Sequence, residues 1–249
     1  YGNGVLPGLY VGNYRDSKDP VQLDKNKITH ILSIHDAARR HHSDKHYLCI
    51  MASDSPDQNL TQYFSLCNDF IHAARLRDGN VLIHCLAGMS RSVTVAVAYI
   101  MSVTPLTWRE ALKVVRAGRA VANPNLGFQR QLQDFETYKL VEERRRLKER
   151  YPSLALADSD LAECRVMLDS YQTMLNQRTI CEGKCSMGRQ CPTGEQTCLI
   201  KKYIYIRMAT SRLMRVLLNV CFRHCTLTLH IFVCQWVARA CFRYSTCNT

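Results

Sequence analysis

The sequence lacks the features that would export the chain or set it across a bilayer. Tyr1 to Leu9 has neither a basic start nor an apolar run, so no secretory signal is expected. A reducing, cytoplasmic setting with free thiols is therefore expected, and nuclear or membrane-associated pools are compatible with it. The longest uncharged apolar stretch near the C-terminus, Cys225 to Ala238, falls short of the ~20 residues a spanning helix needs. Carboxylates are scarce in one region only: residues 181–249 hold 2 Asp/Glu against 10 Lys/Arg, whereas residues 1–140 hold 12 against 16. The formal net charge of +12 is therefore largely a property of the tail, and no nucleic-acid partner is inferred from it. Paired C-x-x-C knuckles are missing too, since Cys181, Cys185, Cys191 and Cys198 stand four, six and seven positions apart. No metal and no other cofactor is expected. Neither a repeat nor a feature that sets an oligomeric state is visible.

What is present is the composition of a globular protein, 47% apolar and 22% charged, long enough at 249 residues for one α/β domain and an appendage. Short β-rich runs at Gly8–Gly12, Ile28–Ile34 and Tyr47–Met51 read as strands. Between Leu60 and Leu76 the apolar residues Phe64, Cys67, Ile71 and Ala74 recur at helical spacing. Arg77 to Asn80 supplies a turn, Val81 to Ile83 a buried strand, and Val93 to Val103 a helix apolar on every side, which belongs at a domain centre. Thr107 and Glu110 form a capping box that opens a helix to about Ala117. Asn123-Pro124-Asn125 then breaks the chain, and Leu126 to Arg150 is predicted as one long closing helix packed through Phe128, Leu132, Phe135 and Leu140. The main α/β domain is thus expected over residues 1–152 and an amphipathic helix within 153–178, with Leu161, Met167, Leu168 and Leu175 as its apolar positions. A Cys-rich basic tail, irregular or helical, fills 179–249.

The chemistry concentrates where the buried strand runs into His84-Cys85-Leu86-Ala87-Gly88-Met89-Ser90-Arg91-Ser92 and then into the central helix. At average residue frequencies His, Cys, Gly and Arg at these offsets would occur in roughly one chain of this length in a few thousand. A thiol of ordinary pKa ~8.5 becomes a useful thiolate at a helix N-terminus beside cations. Five residues separate Cys85 from Arg91, enough for backbone N–H groups to converge into an anion nest. Leu86, Ala87, Gly88, Met89 and Ser90 thus form a substrate-binding loop, and Gly88 permits a backbone conformation closed to other residues. Arg91 can grip two phosphate oxygens at once, which lysine cannot. Ser92 is placed to donate a hydrogen bond to the sulfur as it leaves, and His84 to orient the loop and lower the thiol pKa. Displacement at phosphorus by sulfur gives a phosphocysteine and needs an acid for the leaving oxygen.

These residues, with Leu6-Pro7-Gly8-Leu9-Tyr10-Val11-Gly12-Asn13, Ile28 to Ser33, Ala52-Ser53-Asp54-Ser55-Pro56, Ala122 to Asn125 and Gly127 to Leu132, resemble the atypical dual-specificity protein phosphatases of the JNK-pathway-stimulating subgroup. The resemblance covers about Gly2 to Pro152. It implies an α/β fold with a central mixed sheet flanked by helices and a metal-free two-step cysteine mechanism. It further implies Asp54 as general acid, Asn123 as a residue steadying the phosphate loop, and a site shallow enough for phosphoserine and phosphothreonine as well as phosphotyrosine. Phosphorylated proteins, including kinases of a MAP kinase pathway, are the partners it implies. Members of the subgroup begin Met-Gly-Asn-Gly; here Tyr1 stands at the Met position and residue 6 is Leu rather than Ser or Thr, so lipid-mediated membrane attachment has only part of its pattern.

Without the resemblance, Asp54 in Asp-Ser-Pro also reads as a turn or helix cap, and Asn123 as a turn residue before Pro124. Two other functions stay in play. A lipid or RNA 5′-phosphatase would use the same loop, although Leu86, Ala87, Met89 and Ser90 supply none of the basic residues a more highly charged substrate favours. A phosphoprotein-binding scaffold would need neither a nucleophile nor an acid.

Overall fold

The computed structural model describes residues 3–153 and 155–177. Expectations for the tail, with Cys181, Cys185, Cys191 and Cys198, lie outside the described residues. Five strands form a mixed sheet in the order β1-β2-β5-β3-β4. These are β1 (Asn3–Leu6), β2 (Leu9–Gly12), β3 (Ile28–Ile34), β4 (His46–Ile50) and β5 (Asn80–His84). Only β1 runs antiparallel to its neighbour, and it was not legible as a strand because its four residues include Asn3 and Gly4. The other three strand pairs are parallel.

Among the described residues there are seven α-helices: α1 (Pro20–Lys25), α2 (Phe64–Arg75), α3 (Arg91–Val103), α4 (Trp108–Gly118), α5 (Leu126–Tyr138), α6 (Leu140–Arg150) and α7 (Ala157–Asn176). The pleat divides the sheet residues between two faces. Ile31 and Leu82 meet Leu23 of α1 on one side, while Leu32, Val81 and Ile83 join the main core with α2 to α5 on the other. Every residue of α3 from Arg91 to Ser102 is buried, so β5 and α3 hold the intervening loop between two fixed elements. Local signals set the helix starts. Asp19 Oδ1 caps α1 through the N–H of Val21 and Gln22, and the Thr107–Glu110 box opens α4 with both of its bonds in place. Asn125 Oδ1 accepts from Phe128 N at 3.0 Å to open α5.

Two expectations are corrected here. The predicted single helix from Leu126 to Arg150 is broken at Lys139, where φ is −127° and ψ −18°. Continuing the stripe Phe128, Leu132, Phe135 by one turn would bring Lys139 onto the core face. The break instead turns Leu140, Glu143 and Leu147 inward. Glu143 accepts from Ser65 Oγ and Asn68 Nδ2, both at 2.7 Å, and Arg144 donates to the carbonyls of Met101 and Thr104.

The helix expected within 153–178 forms as α7, but its most buried residues are not the expected apolar positions. Leu161, Met167, Leu168 and Leu175 are only half-buried, and the residues driven fully inside are Asp160, Cys164 and Tyr171. Asp160 meets Arg75 of α2 in a bidentate pair at 2.8 and 2.5 Å, with both side chains at most 1% exposed. Arg75 also donates to Pro7 O and to Tyr99 Oη, so all three of its guanidinium nitrogens are bonded inside the domain. The helix packs on α4 and β1, and the boundary expected at residue 152 falls inside a compact unit that runs on through Asn176.

Candidate active site

The loop between β5 and α3 is shaped from behind. Each carbonyl from Cys85 to Ser90 already accepts a hydrogen bond: Cys85 O from His84 Nδ1, Leu86 O from Tyr14 N, and Ala87 O and Gly88 O from the Arg119 guanidinium. Met89 O accepts from Asn123 N at 2.7 Å, and Ser90 O from both N and Oγ1 of Thr94. With the carbonyls drawn outward, the N–H groups are left for the inner side of the loop. Gly88 N donates to Cys85 Sγ at 3.2 Å. Gly88 sits at φ +66°, and an added Cβ would lie 2.5 Å from both Gly12 O and Arg119 Nη2, so glycine is required twice over.

Cys85 is 1% exposed, at the floor of this loop. Burial alone would push its thiol up, but the Arg91 charge, Ser92 Oγ at 3.3 Å and the N–H groups of Ser92 and Met89 outweigh that and hold it below the ordinary thiol value. His84 differs from expectation. Burial pulls its pKa down to about 4, so the ring is neutral, and its bond goes to the carbonyl of Cys85 rather than to the sulfur. It orients the loop without acting on the thiol directly.

Arg91, at the first position of α3, is 4% exposed and donates through Nη1 to Asp36 Oδ2 and Ala52 O, each at 2.8 Å. Its Nε is buried without a hydrogen-bond partner. A buried guanidinium N–H left open beside a lowered thiol suits an oxyanion ligand.

Asp54 lies across the loop. Its Oδ1 accepts from Ser90 Oγ and Asn125 Nδ2, both at 2.8 Å, and its Oδ2 is 3.9 Å from Arg91 Nε. Asn123 touches the loop through its backbone N–H, while its side-chain oxygen accepts weakly from Arg116 at 3.4 Å. The side chain that reaches the acidic loop is that of Asn125, two residues on.

No site role was assigned from sequence to Asn125, Arg119, Asp36, Tyr14 or Gly127. An added Cβ on Gly127 would overlap the backbone of Pro56, two residues beyond Asp54, so Gly127 fixes how closely α5 approaches the acidic loop. Arg119 is itself held by Asp16, 3.5 Å from its Nη1, and Asp16 accepts from Asn13 N at 2.7 Å. For Asn125 and Gly127, a signal was available in Asn-x-x-Phe capping spacing and in a glycine within the first turn of a helix.

A strand-loop-helix anion cradle with a low-pKa thiol and a helix-borne arginine defines a cysteine phosphatase site. A family model for the catalytic domain of dual specificity phosphatases matches residues 9–138, and the chain belongs to that family. It is a dual-specificity protein phosphatase, which hydrolyses phosphotyrosine and phosphoserine or phosphothreonine in proteins through a phosphocysteine.

Its similarity is to the atypical members. It is 55% identical over 161 residues to dual specificity protein phosphatase 22 of Homo sapiens, spanning 65% of this chain and 88% of that one. Dual specificity protein phosphatase 15 of Mus musculus is 48% identical over 162 residues, spanning 64% of this chain and 69% of the relative. Among solved structures, DUSP15 superposes with a TM-score of 0.58 at 48% identity, covering 60% of this chain and 98% of that one. Human tyrosine phosphatase-like serine/threonine/tyrosine-interacting protein superposes at 0.53 with 33% identity, covering 56% and 97%.

Proposed function

We propose that Cys85, as thiolate, attacks the phosphorus of a phosphorylated side chain while Arg91 and the loop N–H groups hold the phosphoryl oxygens. The S–P bond forms as the P–O bond to the substrate breaks, and Asp54 gives its proton to the departing oxygen. Water then attacks phosphorus, Asp54 takes a proton from it, and the sulfur leaves with its charge shared by Ser92 Oγ. The observation that carries this reading is the sulfur at the loop floor, 3.3 Å from Ser92 Oγ and 3.2 Å from Gly88 N, with its pKa held down by Arg91. Ser90 and Asn125 keep Asp54 at the mouth.

Cys85→Ser is expected to abolish turnover of phosphotyrosine and phosphothreonine peptides while the peptides still bind. Asp54→Ala should slow phosphothreonine hydrolysis far more than that of an activated aryl phosphate, because only the poor leaving group needs the proton. Persisting turnover in the first variant, or equal slowing in the second, would overturn the assignments.

Phosphoprotein substrates follow from the family. Kinases of a MAP kinase pathway, JNK among them, are our proposed physiological substrates on the strength of the subgroup resemblance, and the cytoplasm is the proposed location. Incubating the enzyme with activated JNK and following loss of its phosphothreonine and phosphotyrosine tests the first proposal; unchanged phosphorylation would remove it. A lipid or RNA phosphate is disfavoured because Leu86, Ala87, Met89 and Ser90 add no positive charge to the cradle.

A further inference from the structure

Two loops beside the phosphate cradle carry cations that no carboxylate pairs with among the described residues. The first, residues 13–18, is joined to the cradle by the bond from Tyr14 N to Leu86 O at 3.2 Å. The second, residues 35–45, leaves β3 and folds back against the first. Its His42 ring bonds Ser17 O at 3.0 Å, and its His41 ring packs edge-on against Tyr14 with centroids 5.3 Å apart. Lys18 Nζ lies 5.2 Å over the same Tyr14 ring, and Arg40 lies 5.8 Å over Tyr47. Arg15, Lys18, Arg39 and Arg40 are all exposed.

The carboxylates on and around these loops are committed elsewhere. Asp16 is engaged with Arg119 and Asn13 N, and Asp36 with Arg91. Asp19 caps α1, and Asp24 and Asp44 both face Lys45. None of the four exposed cations has an ion-pair partner among the described residues. Arg39 and Lys18 both bear on His41, which places the two loops within reach of one another's charge.

We propose that this paired-loop rim binds acidic side chains of the phosphoprotein substrate on one flank of the residue being dephosphorylated. The inference rests on the phosphatase reading and adds a substrate preference to it. Exposed charges of one sign beside a concave site raise the encounter rate of oppositely charged ligands and fix their orientation. The rim is built on aromatic packing and backbone bonds, so its cations keep a defined position relative to Leu86 at the cradle edge. A small aryl phosphate fills the cradle without reaching the rim, whereas a peptide must pass over it.

The test uses the full chain and two phosphotyrosine peptides that differ only in having Asp and Glu, or Asn and Gln, at the flanking positions. The acidic peptide is expected to show a kcat/KM about threefold to tenfold higher at low salt, the sum of a few exposed ion pairs, and to lose that lead as salt rises. The charge reversals Arg39→Glu with Arg40→Glu, and separately Lys18→Glu, should erase or invert the preference and leave para-nitrophenyl phosphate turnover unchanged. Equal rates on the two peptides, or a preference that survives both reversals, would overturn the rim as a substrate site. Binding to phosphatidylserine vesicles that is lost in the reversals, with no peptide preference, would reassign it to a membrane surface. Failure of the parent chain to turn over para-nitrophenyl phosphate would strike the phosphatase reading instead.

Discussion

Gly127 shows how a residue with no side chain can govern a reactive one. Alanine there would drive a methyl into the backbone of Pro56 and shift the segment that carries Asp54. A displacement of ~1 Å at a reacting group can cost on the order of a hundredfold. Gly127→Ala is therefore expected to depress phosphothreonine turnover by ten- to a hundredfold while sparing much of the para-nitrophenyl phosphate rate, whose leaving group needs little protonation. A comparable loss on both substrates would place the effect in the cradle instead. Cys85, Gly88, Arg91 and Ser92 were legible because they fall within one short run whose spacing speaks for itself. Arg119, Asp36 and Tyr14 were not, since each reaches the cradle from a separate part of the chain and carries no local pattern. His84 was legible as a residue that orients the loop, whereas the atom its ring bonds, the carbonyl of Cys85, depends on ring orientation and is not written in the sequence.

Among the elements, α7 departs furthest from a sequence-level expectation. Its inward face is organised around an ion pair rather than a stripe of leucines, and hydrophobic periodicity cannot find a buried aspartate whose partner stands 85 positions away. Arg75 inside the core makes α7 indispensable to the domain. Ending the chain near residue 155, or replacing Asp160 with alanine, leaves that guanidinium buried without its carboxylate. The expected cost is ~3–5 kcal/mol, read as a lower urea midpoint, and a chain extended to residue 177 should recover it. Equal midpoints for the two lengths would mean that α7 is only loosely attached. Strands β2 to β5 and helices α2 to α4 followed their predicted ranges within a few residues, because period, caps and the buried run after the Arg77 to Asn80 turn all agreed there. The break at Lys139 went unseen because the stretch from Phe128 to Arg150 contains no Gly or Pro, and the turn there serves Glu143 and its partners on α2.

Across the whole molecule, buried histidines make the fold sensitive to acid. His84 keeps a pKa of about 4 in the folded state against 6.5 for an unhindered ring, and burial also lowers His35, His72, His30 and His41. Between those two values the unfolded chain binds a proton that the folded chain refuses, so stability rises with pH and is lost as pH falls from about 6.5 toward 4. His84 alone accounts for up to about 3 kcal/mol of this at full titration. Urea midpoints at pH 7 and pH 5 should therefore differ clearly in favour of pH 7; identical midpoints would contradict the buried neutral ring.

The six carbonyls tied down behind the cradle carry a last consequence. Turning the loop inside out would forfeit contacts to Tyr14, Arg119, Asn123 and Thr94 together, so the socket is finished before any guest arrives. Tetrahedral oxyanions such as vanadate or tungstate should then dock like keys cut to a standing lock, inhibiting competitively and leaving the backbone around them where it already was.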